Sequence, residues 1–185
     1  AAVYSIAGSA DAALFSINPT TGVLSFNSAP NFEAPTDAGA NNVYDVTVQV
    51  ADGNGGTDTQ AIAVTVTNVN EAPLITSNGG GATASVSAAE NQSVATTVTA
   101  SDVDGGAAVY SIVGGADAAL FSIDSATGVL TFNATPNFEA PADADGDKVY
   151  DVTVQVADGH GGSDTQTIAI TVANVNEAPL ITSHG

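Results

Sequence analysis

Tyr150-Asp-Val-Thr-Val-Gln-Val-Ala-Asp-Gly159 decides the fold, because it alternates with a period of two and then turns. Tyr150, Val152, Val154 and Val156 share one face, as a half-buried strand requires. Thr165-Gln-Thr-Ile-Ala-Ile-Thr-Val172 repeats the pattern with Ile168, Ile170 and Val172. Between these runs, Ala157-Asp-Gly-His-Gly-Gly162 reads as a hairpin loop. Upstream, Asp124-Ser-Ala-Thr-Gly128 reads as a tight turn whose glycine takes positive φ. Ser93-Val-Ala-Thr-Thr-Val-Thr-Ala100 is a third strand run, rich in β-branched residues. No stretch shows a helical period with caps. Short strands with turns at these intervals predict an antiparallel sandwich.

The same ten residues occur first at Tyr44, so the chain repeats itself. Val3-Tyr-Ser-Ile returns at Val109, and Asn68-Val-Asn-Glu-Ala-Pro73 returns at Asn174. Each offset is 106, and residues 1–79 match residues 107–185 at 60 of 79 positions. A period of 106 is too long for a solenoid and suits a sandwich domain strung in tandem. Its phase makes 74–179 a complete repeat, 1–73 a partial repeat without its first two strands, and 180–185 the start of a further one. The partial repeat leaves a sheet edge and part of a core uncovered. The preferred reading is a piece cut from a longer array; the alternative is that another copy donates the missing strands. The opening Ala1-Ala-Val-Tyr-Ser is no signal peptide and has no initiating Met, which also fits a piece of something longer.

Composition narrows the function. The chain has 185 residues, 20 acidic side chains and a single basic one, Lys148, for a net charge of −19. One Lys and no Arg do not neutralise a phosphate backbone, which excludes nucleic acid as a partner. There is no Cys, so a disulfide scaffold, a thiolate metal site and a Cys nucleophile are excluded. No apolar run approaches the ~18 residues of a membrane span. Ala accounts for 34 residues, so the core rests on Val, Ile, Leu, Phe and Tyr in short alternating runs. That supports small β domains better than one large enzyme. No Gly-x-Ser-x-Gly elbow occurs, and a lone His160 in a loop is no catalytic constellation; His184 lies near the end, and neither is assigned a role.

The order of motifs resembles cadherin repeats in their bacterial form. Ala89-Glu-Asn91 resembles the early Glu motif and Ser101-Asp-Val-Asp-Gly105 the Asp-x-Asp motif. Phe121-Ser-Ile-Asp-Ser-Ala-Thr-Gly-Val-Leu130 resembles the mid-domain hairpin signature. Asn137-Phe-Glu139 stands where the family has Asp-x-Glu, and Ala157-Asp-Gly159 matches Ala-x-Asp. Asn174-Val-Asn-Glu-Ala-Pro179 resembles the linker motif before Pro. The resemblance implies an all-β, seven-stranded antiparallel Greek-key sandwich in tandem, with Ca2+ clusters at the junctions. Asn31, Asn137, Asn68 and Asn174 depart from an expected Asp, and Glu71 and Glu177 replace two more. Each Asn keeps an oxygen and removes a charge.

Carried over by that resemblance, one junction comprises Asn31, Glu33, Asn68, Asn70, Glu71, Asp102, Asp104 and Asp158. A second half-set, awaiting a following repeat, comprises Glu90, Asn137, Glu139, Asn174, Asn176 and Glu177. The composition argues for a metal as well. Like charges 4 Å apart repel by about 4 kcal/mol at an effective dielectric of 20, and this chain has one Lys to offset them. A hard cation with 6–8 oxygen ligands suits the cluster, and calcium tolerates irregular geometry better than magnesium. Zinc is disfavoured for want of nitrogen and sulfur ligands.

Asp143-Ala-Asp-Gly-Asp147 is a separate acidic loop. Its alternating acids resemble a local calcium loop, but no bidentate Glu follows, so a solvated loop is preferred. The counterpart at Asp37 reads Asp-Ala-Gly-Ala-Asn and lacks two of the acids. Gly159-His-Gly-Gly-Ser-Asp164 resembles one calcium β-roll repeat, but occurs singly and reads as a hairpin loop.

Together these readings predict a secreted, calcium-binding spacer or adhesion segment of a large bacterial surface protein, and not an enzyme. Its partners are neighbouring repeats, other copies of itself, or surface glycans. The alternatives are a carbohydrate-binding module, disfavoured by the lack of Trp, and a fibre subunit completed by strand donation.

Overall fold

A computed structural model describes residues 1–181. His184 and residues 182–185 of the expected further repeat lie outside the described residues. The chain divides into two units, Ala1–Val69 and Asn70–Gly185. The boundary falls within the Asn68–Pro73 linker motif.

Unit 1 contains β1 (Val3–Gly8), β2 (Phe15–Ile17), β3 (Leu24–Phe26), β4 (Val43–Ala51) and β5 (Thr57–Thr65). Unit 2 contains β6 (Leu74–Ile75), β7 (Thr83–Ala89), β8 (Val94–Thr97), β9 (Ala100–Ser101) and β10 (Val109–Gly114). It continues with β11 (Phe121–Ile123), β12 (Val129–Phe132), β13 (Val149–Ala157) and β14 (Ser163–Ala173). Among the described residues the only helical elements are short 3-10 turns. The chain is all-β, as its alternation predicts.

In unit 2 one sheet has the order β10-β13-β14-β7 and the other β11-β12-β8, with β6 paired to β9. The nine segments make seven strands, because the first strand is split into β6 and β7 and the second into β8 and β9. The Ser93–Ala100 run is therefore not continuous. Val98 interrupts it, donating its amide to the Gly128 carbonyl at 2.9 Å. The chain then leaves β12 and pairs with β6. One pairing departs from the antiparallel rule: β7 runs parallel to β14, from Thr83 opposite Thr167 to Ala89 opposite Ala173.

The expected inward face is the core. Val152, Val154, Val156, Ile168 and Ile170 are fully buried, and Tyr150 and Val172 nearly so. Facing them are Ile75, Val98, Phe121, Leu130 and Phe132. Phe121 and Phe132 lie 4.6 Å apart between ring centroids, and Tyr150 meets Phe132 edge-on at 5.3 Å. Burying each such side chain contributes about 1.5–3 kcal/mol. The Tyr150 hydroxyl accepts the Ala142 amide at 3.0 Å, so the ring is buried with its oxygen satisfied.

Unit 1 repeats the local pattern. Val3 opposes Ala51 in β1–β4 as Val109 opposes Ala157 in β10–β13. Among the described residues β5 pairs only with β4, and β3 only with β2. Val48, Val50, Ile62 and Val64 are only half-buried. Their counterparts Val154, Val156, Ile168 and Ile170 are fully buried, because β7, β8 and Val98 supply the opposing surface in unit 2.

Candidate metal centres

The parallel pairing of β7 and β14 builds the first centre. It ends with the Glu90 amide donating to the Ala173 carbonyl at 3.0 Å, so Glu90 lies beside the 174–177 segment. Glu90 is 1% exposed. Its Oε1 accepts the Val175 amide at 2.7 Å and its Oε2 the Phe138 amide at 2.8 Å. The Phe138 amide, then the Val175 amide, holds this carboxyl below its ordinary value against the opposing effect of burial. Both amides favour its charged form.

Asn137 opens the next strut. Its Oδ1 accepts the amides of Glu139 and Ala140 at 2.8 and 2.9 Å, which turns the loop and presents Glu139. Asn174 donates to Glu139 Oε1 at 2.6 Å. Asn91 donates to Glu177 Oε1 at 2.8 Å. One carboxylate oxygen from each of Glu90, Glu139 and Glu177 lies within 4.8 Å of the others. Asn176 lies in the same segment, exposed. Of the six residues expected here, the three carboxylates converge, while Asn137 and Asn174 orient Glu139. Asn91 and the amides of Phe138 and Val175 were not foreseen. The adjacency of Asn91 to Glu90 was the available signal.

The second group lies at the other end of unit 2. Asp158 sits in the β13–β14 loop, 7% exposed. It accepts the Asn70 side chain at 2.7 Å and the amides of His160 at 2.6 Å and Gly162 at 3.0 Å. The Asn70 side chain, then the His160 amide, keeps its carboxyl below the ordinary range. Asp104 Oδ2 accepts the Glu71 amide at 2.7 Å, and Asp102 Oδ1 accepts the Asp104 amide at 2.9 Å. Asn70 and Glu71 thereby meet Asp158 and Asp104 respectively. The close fit of the loop depends on Gly162, where a Cβ would come 2.7 Å from the Ala72 Cα.

Unit 1 carries Asn31, Glu33 and Asn68 of the expected set. Asn31 repeats the turn of Asn137, accepting the Glu33 amide at 2.8 Å and the Ala34 amide at 3.2 Å. Asp52, a counterpart of Asp158 that was not singled out, accepts the amides of Asn54 at 2.7 Å and Gly56 at 3.0 Å. The Asn54 amide is the main cause that lowers its pKa. The identity of Tyr44–Gly53 with Tyr150–Gly159 was the signal for it.

Two buried acids serve the fold instead. Asp117 accepts the amides of Ala144 and Asp151 at 2.7 and 2.8 Å, and Asp11 accepts those of Ala38 and Asp45 at the same distances. Each ties its acidic loop to the sheet. Lys148 places its ammonium 3.4 Å from the centroid of the Phe138 ring. Among the described residues no helix is long and apolar enough to cross a membrane.

Carboxylates and amide oxygens without nitrogen or sulfur donors suit a hard divalent cation. Glu90 is held by backbone amides, and Glu139 and Glu177 by the side chains of Asn174 and Asn91.

The chain is similar to several solved structures. It superposes on mouse cadherin-23 repeats EC22-24 with a TM-score of 0.58 and 23% identity, covering 94% of this chain and 53% of that one. On human protocadherin-24 EC1-2 the TM-score is 0.59 at 22% identity, covering 95% and 83%. On protocadherin gamma B7 domains 1-4 it is 0.58 at 21% identity, covering 93% and 41%. This chain thus spans about half the length of the cadherin-23 fragment, and identities this low carry the fold alone. No curated protein matches the sequence. The model of the bacterial Ig domain matches residues 70–171, which is most of unit 2 and more than half of the chain. The cadherin structures share its fold, and the family match establishes that the chain belongs to the bacterial Ig domain family.

Proposed function

We propose that the chain is a calcium-binding tandem-repeat segment of a large secreted or surface-anchored bacterial protein, acting as a stiffened spacer or adhesion arm. The observation that supports this most is the convergence of Glu90, Glu139 and Glu177 within 4.8 Å. In a chain of net charge −19, three carboxylates approach at a strand end, and two backbone amides donate to the buried one. Asn70, Glu71, Asp102, Asp104 and Asp158 form the second set of donors, and Asn31, Glu33 and Asn68 belong to the same motifs in unit 1.

The mechanism is linkage. Calcium binds the ordered carboxylates and not the unfolded chain, so it stabilises the folded repeat. Extracellular modules bind calcium with Kd on the order of 10⁻⁴–10⁻³ M. An ion at ten times its Kd then contributes about 1.4 kcal/mol per site. Removal restores repulsion among the acids and loosens the array.

The test is calcium titration of the chelated chain by calorimetry, with thermal unfolding followed in parallel. Saturable heat and a raised Tm are expected. Absence of both would sink the calcium reading and leave the acids as a solvating surface.

A further inference from the structure

The Asp143–Asp147 loop differs from its twin in unit 1 in a way that its sequence did not disclose. In unit 1 the loop closes on one carboxylate. Asp37 Oδ2 accepts the amides of Gly39 and Asn41 at 3.1 and 3.0 Å, and Oδ1 accepts that of Asn42 at 3.1 Å. Both oxygens are satisfied, and the Asn41 amide leads the effects that lower its pKa.

Unit 2 keeps the aspartate and opens the loop. Asp143 is 8% exposed, and the Lys148 amide reaches its Oδ2 at 3.2 Å. Its Oδ1 is buried and has no hydrogen-bond partner. The Asp147 amide, whose counterpart closes on Asp37, turns instead to Asp145 Oδ1 at 3.4 Å. An unpartnered buried carboxylate oxygen costs about 1–3 kcal/mol or more if nothing fills its place. Two further carboxylates gather beside Asp143. One oxygen from each of Asp143, Asp145 and Asp147 lies within 4.8 Å of the others. The Lys148 ammonium lies over the Phe138 ring.

We propose that Asp143, Asp145 and Asp147 hold a calcium ion local to unit 2, with Asp143 Oδ1 as its buried ligand, and that the unit 1 loop has lost this site. The frame is already fixed. Asp117 anchors Ala144, the Tyr150 hydroxyl anchors Ala142, and Asp147 Oδ1 accepts the Val149 amide at 2.8 Å. Spacing of i, i+2 and i+4 sends three carboxylates to one point across a short loop, and Gly146 at φ +77° allows the turn. Water completes the 6–8 oxygens that calcium prefers. This site shares no carboxylate with the Glu90 centre.

Amide spectra of the whole 185-residue chain, titrated with calcium chloride after chelation, test the site directly. The amides of Asp145, Asp147 and Lys148 should shift saturably by about 10 mM calcium, while those of Gly39, Asn41 and Asn42 stay fixed. Asp145→Gly with Asp147→Asn, which installs the unit 1 residues, should abolish those shifts and spare any at Phe138 and Val175. Silent loop amides with shifting Phe138 and Val175 overturn this site and leave the Glu90 centre standing. Shifting loop amides with silent Phe138 and Val175 do the reverse. Loop shifts that survive in the double variant overturn the ligand assignment.

Discussion

Gly128 and Val98 are locked together where the chain enters β12 and leaves β8 in the smaller sheet. The Val98 amide donates to the Gly128 carbonyl at 2.9 Å, and a Cβ on Gly128 would collide with the Val98 carbonyl oxygen. Gly128 also has φ +70°. Its counterpart Gly22 has φ +74°, but the nearest atoms to its Cβ would be those of the Tyr4 ring, at 3.2 Å. Left-handed backbone costs a non-glycine residue about 1–2 kcal/mol. Gly22→Ala should lose about that much. Gly128→Ala should lose clearly more, because the Val98 backbone must also move. Hydrogen exchange at Val98 in one variant, and at Val46 in the other, reads the two losses separately; equal losses would contradict the packing argument.

Ser9 and Gly115 offer the opposite test. They are equivalent, with φ of +108° and +110°. Ser9 tolerates a conformation that favours glycine. Ser9→Gly should stabilise unit 1 by about 1 kcal/mol, seen as slower exchange at Tyr44 and Val46. Gly115→Ser should destabilise unit 2, because its Cβ would collide with the Asp151 carbonyl.

Glu90→Gln isolates the role of charge. The side chain keeps its shape but exchanges one acceptor oxygen for a donor that faces an amide. Unfolding midpoints in chelator should fall by the equivalent of about 1–3 kcal/mol. Calcium should no longer shift the Phe138 and Val175 amides. An unchanged midpoint would mean that the two amide bonds contribute little.

Asp124 gives a pH prediction outside the metal centres. Its carboxyl is held below the ordinary value, first by the Thr127 amide, then by the Thr127 hydroxyl and the Ala126 amide. A depressed folded pKa contributes stability above the unfolded value near 3.9, and this is lost as pH falls through the folded value. Asn18 makes the same turn in unit 1, accepting the amides of Thr20 and Thr21 at 2.9 and 3.0 Å. Asp124→Asn should therefore fold, melt lower than the parent near pH 6, and converge with it in acid. A gap independent of pH would remove the carboxylate from the explanation.

Several elements were legible in advance for local reasons. The alternation of Tyr150–Val156 names its own inward face, and all four inward residues are buried or nearly so. The turns at Asp124–Gly128 and Asp158–Gly162 were readable because each aspartate accepts amides a few residues ahead of it. The run Ser93–Ala100 was misleading, because β-propensity does not report a change of partner. Val98 belongs to one pairing and Ala100 to the other.

By itself the sequence determined the all-β class, the repetition of units, the inward faces of β4, β5, β13 and β14, and the acidic donor types. These follow from side-chain period and turn chemistry, which act over a few residues. The family resemblance grouped the acids, and only the tertiary structure decided how closely they approach. Glu90, Glu139 and Glu177 are distant in the chain, and the parallel β7–β14 pairing together with the Asn137 turn brings them within 4.8 Å. It alone separated Asp37, with both oxygens satisfied, from Asp143, with one buried oxygen unpartnered. The two loops differ by a few side chains, and the difference lies in where their amides point. Hydrogen-bond direction is set by the packed backbone and not by composition.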